Sequence, residues 1–252
     1  MRRHHFDLLL NLIRKDLRVR YMGSALGYLW SLGAPLVTVL VYWFVFSRIF
    51  TPPVKDFALY IVTGVVHWIL LAQILTASCE WFTGNAALLR KVSFPKLLLP
   101  VAGGGAIFMA WLSSLLVVAI AWRPLGGHFG EALFLYPLVL CTFMAFAMGA
   151  GMVLAVLNVD FRDTRHLLDV ALPLLFWMTP IIWVPEQLPQ DIAHWLALNP
   201  LGAFFRSFST ILHQGVVPSN ADLLMCVGAG SIALCCGQIL LAAREYDLVE
   251  RL

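Results

Sequence analysis

The sequence predicts an all-α integral membrane protein with six transmembrane helices, and three observations carry that prediction. First, six apolar blocks contain no Lys, Arg, Asp or Glu: Ser31–Ser47, Phe57–Cys79, Leu97–Trp122, Ala132–Val159, Val170–Pro185 and Leu223–Ala243. A hydrocarbon core about 30 Å thick needs roughly 20 helical residues, and tilting or local thinning covers the shortfall of the first and fifth blocks. With no water in the core to satisfy bare backbone groups, spans of this length are helices. Second, the chain is 61% hydrophobic and 12% charged, with a mean hydropathy of +0.84, whereas soluble domains are about a quarter charged. Third, the basic residues are lopsided. With six spans, thirteen Lys/Arg (Arg2, Arg3, Arg14, Lys15, Arg18, Arg20, Arg90, Lys91, Lys96, Arg162, Arg165, Arg244, Arg251) share one side with both termini, against four (Arg48, Lys55, Arg123, Arg206) on the other. Basic loops stay in the cytoplasm, so both termini are expected there.

The elements follow in order. Residues 5–27 read as an N-terminal interfacial helix: Phe6, Leu10, Ile13, Leu17 and Tyr21 fall on one face, Asp7, Asn11, Arg14, Lys15 and Arg18 opposite, with Leu8 and Leu12 blurring the stripe. A basic amphipathic helix suits the headgroup layer. Gly23 and Gly27 permit a bend into the first span. Spans are expected at about 31–50, 57–79, 101–122, 132–157, 167–185 and 223–243, in a single domain covering residues 1–252, with no repeat of fixed period. The first thirty residues carry six Lys/Arg and no short apolar signal core, so the first span is expected to double as the targeting signal.

The segments between spans carry the functional signal. Residues 86–96 include Ala86, Ala87, Leu88, Leu89, Val92 and Phe94, apolar for a cytoplasmic loop, broken by Arg90, Lys91 and Lys96. Such a surface wants a partner or the membrane interface, and Pro95 is expected to stop a short helix near Phe94. Asn158–Asp169 mixes Asp160, Asp163 and Asp169 with Arg162 and Arg165 at a membrane edge. It reads either as a second cytoplasmic contact or as an internal salt-bridge knot. Residues 188–213 are apolar enough to re-enter the membrane, with Asn199-Pro200 as the break of a hairpin; a cap lying flat on the bilayer is the alternative.

Residue chemistry narrows the class. The five cysteines and seven histidines show no zinc spacing and no H-E-x-x-H pattern, so no catalytic, metal or cofactor-binding residue is expected. The net charge of +3 gives no reason to expect nucleic acid as a partner. The apolar blocks are free of the acids and bases that ion-coupled transport keeps inside the membrane. No G-x-x-x-x-G-K-[ST] occurs, so energy from ATP would have to come from another chain.

The wording of the chain then points to a family. "RKDLRVRYMGSALGYLWSLGAPLVTVLVYWFVFSRIF" (Arg14–Phe50) resembles the start of the polysaccharide-export permeases of the ABC-2 transporter class, above all the O-antigen exporter subunits, with teichoic acid exporters as near relatives. "RKVSFPKLLLP" (Arg90–Pro100), "NVDFRDTRHLLDVALPLLFWMTPIIW" (Asn158–Trp183) and "NPLGAFFRSF" (Asn199–Phe208) match in the same order, so the resemblance covers most of the chain.

That resemblance implies a homodimeric inner-membrane permease driven by two copies of a P-loop ATPase, which carry the ATP and Mg, and a lipid-linked glycan as cargo. It further implies a coupling helix at Arg90, Lys91, Phe94, Pro95 and Lys96 that docks on the ATPase. Asp160, Arg162, Asp163 and Arg165 become candidates for a second contact, and gate helices stand before the last span. Aromatics at Tyr42, Phe46 and Trp177 are placed along the polymer channel. The competing readings are an exporter of teichoic acid, capsule or a small hydrophobic molecule, or a membrane enzyme acting on lipid-linked sugar. The enzyme needs convergent polar residues at one depth, which the chain does not supply.

Overall fold

The computed structural model describes residues 2–21, 30–48, 55–92, 94–127, 130–185, 189 and 198–251. Among them the long elements are all helices: α1 (Arg2–Tyr21), α2 (Trp30–Arg48), α3 (Phe57–Ser78), α4 (Ala86–Lys91), α5 (Leu98–Trp122), α6 (Tyr136–Asp160), α7 (Thr164–Trp177), α8 (Pro200–Ser209) and α9 (Asn220–Arg251). Short 3-10 turns at Thr83–Asn85 and Glu131–Leu135 and a π turn at Thr210–Gln214 connect them. The expected bend at Gly23 and Gly27 and the first arm of the outer hairpin (191–197) lie outside the described residues.

Four helical stretches are long and apolar enough to cross a membrane: Phe57–Ser78, Leu98–Trp122, Glu131–Asp160 and Asn220–Glu245. The protein is therefore an all-α, multi-pass membrane protein. Two expected spans are shorter. In α2 the apolar stretch is Pro35–Phe46. The helix expected over 167–185 ends at Trp177, for a visible reason. Thr179 Oγ1 donates back to the Leu175 carbonyl, and the Tyr60 hydroxyl reaches the carbonyls of Pro180 (3.0 Å) and Trp183 (2.8 Å). The chain after Trp177 is thus held in turns rather than helix.

The central element is α3, buried along nearly its whole length and touched by α2, α5, α6, α7 and α8. Gly64 lets Ile181, from the turn after α7, approach its backbone. The most extensive helix pair is α6 with α9. A Cβ at Gly149 would overlap the Ala233 carbonyl, one at Gly230 the Thr142 carbonyl, and one at Gly237 the Gly149 carbonyl. Hydrocarbon offers no hydrophobic drive between helices, so close backbone packing through small residues must supply the adhesion.

The Gly103–Gly105 triplet on α5 has the same explanation turned three ways. Successive residues on a helix point about 100° apart. Gly103 accordingly admits the Trp81 indole, Gly104 the Met148 thioether of α6, and Gly105 the Ile13 side chain of α1.

The packed face of α1 differs from the expected one. Leu12 is buried against the core, with Leu8, Leu9 and Ile13 beside it, whereas Phe6 is 60% exposed. Of the expected stripe Ile13 stays on the packed face while Phe6 leaves it, because α1 packs on α5, so protein and not only lipid claims its apolar side. Leu12, which blurred the sequence pattern, is its centre.

Candidate functional site

The loop between α3 and α5, expected on the cytoplasmic side, forms a helix, but a shorter one than expected: α4 ends at Lys91, and Val92 is extended at φ −132°, ψ 130°. Phe94 precedes Pro95 and so disfavours helix, as does β-branched Val92. Leu89 and Phe94 are buried in the hydrophobic core, at 4% and 6% exposure, and α4 touches α9. Lys96 Nζ sits 5.5 Å over the Phe94 ring. This corrects the expectation for Phe94. It anchors the loop to its own protein and offers no bare ring to a partner. The outward surface consists of Ala87, Arg90, Lys91, Val92, Pro95 and Leu97, with Lys96 partly exposed.

For the Asn158–Asp169 stretch, the neutralising partners are not the neighbouring arginines. Asp160, only 17% exposed at its side chain, receives Arg251 at 2.8 Å and lies 3.8 Å from Arg244, both on α9. Arg165 instead pairs with Glu80, across from the end of α3. Two long-range ties therefore hold this edge: α6 to the end of α9, and α7 to the loop after α3. Arg162 and Asp163 remain exposed. A residue not singled out from the sequence completes the arrangement: Asn158 is buried, and its amide donates to the Cys79 carbonyl at 2.7 Å. Its position two residues before the α6 terminus, inside an apolar block, is the signal that could have found it.

The aromatic candidates lie on two chains of rings around α3. Tyr42 stacks on Phe46 at 6.1 Å, Phe46 meets Phe57 edge-on at 5.5 Å, and Phe57 stacks on Tyr60 at 5.6 Å. Tyr60 then reaches His213 at 5.8 Å. Trp177 belongs to the other chain, through Phe176 (6.1 Å) to Trp68 (5.4 Å). Tyr42 and Phe46 are half-buried; Trp177 is 64% exposed.

Asn199 caps α8 by accepting from the Leu201 amide at 3.0 Å, with Pro200 at the first helical position. Asn and Pro at these positions are favoured starts. The helix packs into the bundle: Phe204, Phe205 and Phe208 are all 2% exposed or less, against α3, α6 and α9. Arg206 Nε donates to Asp222 at 3.0 Å, tying α8 to the start of α9. Beneath it, Phe208 stacks on His67 at 3.8 Å. His67 is fully enclosed on α3. Its Nδ1 lies 2.7 Å from the Thr63 carbonyl and must donate to it, so Nε2 accepts from the Tyr136 hydroxyl at 3.0 Å. Both nitrogens are satisfied in one neutral tautomer, which makes His67 a packing and tethering residue.

Among the described residues no cluster of His, Cys, Asp and Glu could hold a metal ion, and the five cysteines are free.

Residues 7–213 match the family described as ABC-2 type transporter. An O-antigen export system permease protein of Myxococcus xanthus is 29% identical over 229 residues, 90% of this chain and 88% of that protein. One of Klebsiella pneumoniae is 28% identical over 214 residues, covering 84% and 82%. A polysialic acid transport protein of Escherichia coli is 22% identical over 195 residues, 75% of each chain.

Proposed function

The chain belongs to the ABC-2 type transporter family, and from that premise we propose that it is the permease subunit of an ATP-driven exporter carrying a lipid-linked polysaccharide, O-antigen, from cytoplasm to periplasm. The observation that carries the cargo assignment is similarity to O-antigen export permeases along 84–90% of this chain. Two copies would form the pathway in the bacterial inner membrane, with α2 and the α7 segment completing six spans per copy and both termini cytoplasmic. In support, α2 and α7 expose apolar faces: Leu36, Leu40 and Phe44 on one, Leu167, Val170, Leu174 and Trp177 on the other. Faces this apolar want lipid or a second copy. Tyr42, Phe46 and Trp177 are our candidates for the polymer channel, since sugar C–H faces pack on aromatic rings.

A separate ATPase dimer would hold ATP and Mg and push through the α4 loop. Arg90, Lys91, Pro95 and Lys96 then form the docking rim, Phe94 braces it from within, and exposed Arg162 and Asp163 lie along the same edge as a second contact. The burial of Leu89 and Phe94 and the contact of α4 with α9 support this, because a rigidly seated loop transmits force to α9 rather than folding away.

The test is loss of this chain from its host. Glycan should then accumulate on its lipid carrier at the cytoplasmic face, and the chain should co-purify with a P-loop ATPase. Normal surface glycan in its absence would end the O-antigen reading; the polysialic acid relative makes a capsule-type cargo the outcome to look for next.

A further inference from the structure

A cleft of about 700 Å³ opens between α1, α3, the loop after α3, and α5, within the range of roughly 300–1,000 Å³ usual for small-molecule sites. Its lining is divided. Ala72, Ala106 and Ile107 make an apolar floor, while Lys15, Arg20 and Arg165 stand at its polar side. The cations are incompletely matched. Arg165 is paired with Glu80, but Arg20 is bonded to the neutral amide of Gln73 at 2.6 Å and Lys15 to that of Asn85 at 2.8 Å. Asp16 is the other carboxylate, 3.8 Å from Lys15. Burial pushes its carboxyl above the ordinary range, against the pull of Lys15. Trp81, 95% buried in the same wall, carries an indole N–H with no acceptor among the described residues.

A site with a cationic rim, spare donors and an apolar floor fits a molecule with an anionic head and an apolar tail. We propose that this cleft binds a resident anionic phospholipid of the bilayer, its phosphate at Lys15 and Arg20 and its first acyl carbons over Ala72, Ala106 and Ile107. The proposal rests on α1 lying at the membrane surface. The lipid would cement α1 to α3 and α5, a role separate from the cargo path through α2 and α7.

The test uses the full chain, stripped of lipid in mild detergent and titrated with phosphatidylglycerol or phosphatidylcholine, with bound lipid counted by native mass spectrometry. Wild type should hold phosphatidylglycerol about tenfold better than phosphatidylcholine, a selectivity of roughly 1.4 kcal/mol. Lys15→Gln with Arg20→Gln should erase that preference. Ala72→Phe, which fills the floor and leaves every charge, should lower retention of phosphatidylglycerol as well; size-exclusion profiles and helical circular dichroism check that both variants fold. Equal retention of the two lipids by wild type, or wild-type retention by both variants, overturns the site. Displacement of phosphatidylglycerol by millimolar inorganic phosphate would show a free-anion site and overturn the lipid. If wild type holds neither lipid, the surface position of α1 fails together with the proposal.

Discussion

Phe94 shows how a single side chain changes meaning once its neighbours are known. On the sequence, Phe94 is an aromatic on a cytoplasmic loop beside Pro95; in the fold it is 6% exposed and roofed by Lys96. Truncating a buried aromatic costs about 3–5 kcal/mol through lost transfer energy and the cavity left behind. Phe94→Ala should therefore lower the thermal midpoint of the isolated chain in detergent. Arg90→Ala, which is exposed, should leave the midpoint unchanged and act only on ATPase association. If the midpoints of both variants match wild type, Phe94 is not the internal brace. For His67 the sensitive probe is Tyr136→Phe. It removes the only described donor to Nε2 while keeping the ring, and leaving a buried acceptor unpaired costs about 1–3 kcal/mol. A thermal melt indistinguishable from wild type would show that the 3.0 Å contact contributes nothing.

At the scale of elements, what was legible in the sequence was apolar length. The blocks at 57–79, 97–122, 132–159 and 223–243 became α3, α5, α6 and α9 almost as bounded, because an uncharged run long enough to span has one solution in lipid. The fifth block failed on the same criterion: its far half is turned by Tyr60, some 120 residues away in the chain, and no local pattern encodes such a partner. The α1 face was misplaced for a related reason, since periodicity cannot tell a face packed on α5 from one turned to lipid. Candidate sites were legible as stretches, not as pairings: Asp160 and Arg165 stood out, yet their partners Arg251 and Glu80 lie 91 and 85 residues away. The glycines give this scale its own test. Gly149→Ala drives a methyl into the Ala233 carbonyl, while Gly228 has nothing within 4 Å of an added Cβ. Helix propensity alone favours Ala over Gly by about 1 kcal/mol. Gly228→Ala should thus be neutral or stabilising and Gly149→Ala destabilising, in the same assay. Equal effects would mean that α6 and α9 do not approach as closely as described.

For the whole molecule, the question is how one bundle would become half of the proposed pathway. Three ties reach across the chain: Arg251 to Asp160, Arg165 to Glu80, and Arg206 to Asp222. Arg251–Asp160 and Arg206–Asp222 hold α6 and α8 to α9, and Arg165–Glu80 holds α7 to the loop after α3, while the exposed apolar residues of α2 and α7 take no part in these three ties. Leu167, Val170, Leu174 and Trp177 recur at intervals of three and four, each at least 61% exposed, which is one stripe along a helix. A face meant only for lipid needs no such order relative to a partner; a face meant for a second copy must be self-complementary about a two-fold axis. A cysteine at Leu174, in a background without the native five, should cross-link two copies with a short bifunctional reagent. A cysteine at Ile232, 66% exposed on α9, should not. Leu174→Arg should leave the chain inserted but shift it to monomer on size exclusion and abolish export. Cross-linking equal at both positions, or dimers that persist in Leu174→Arg, would mean that α7 faces lipid, and the path for the polymer would then have to be sought on another face of the bundle.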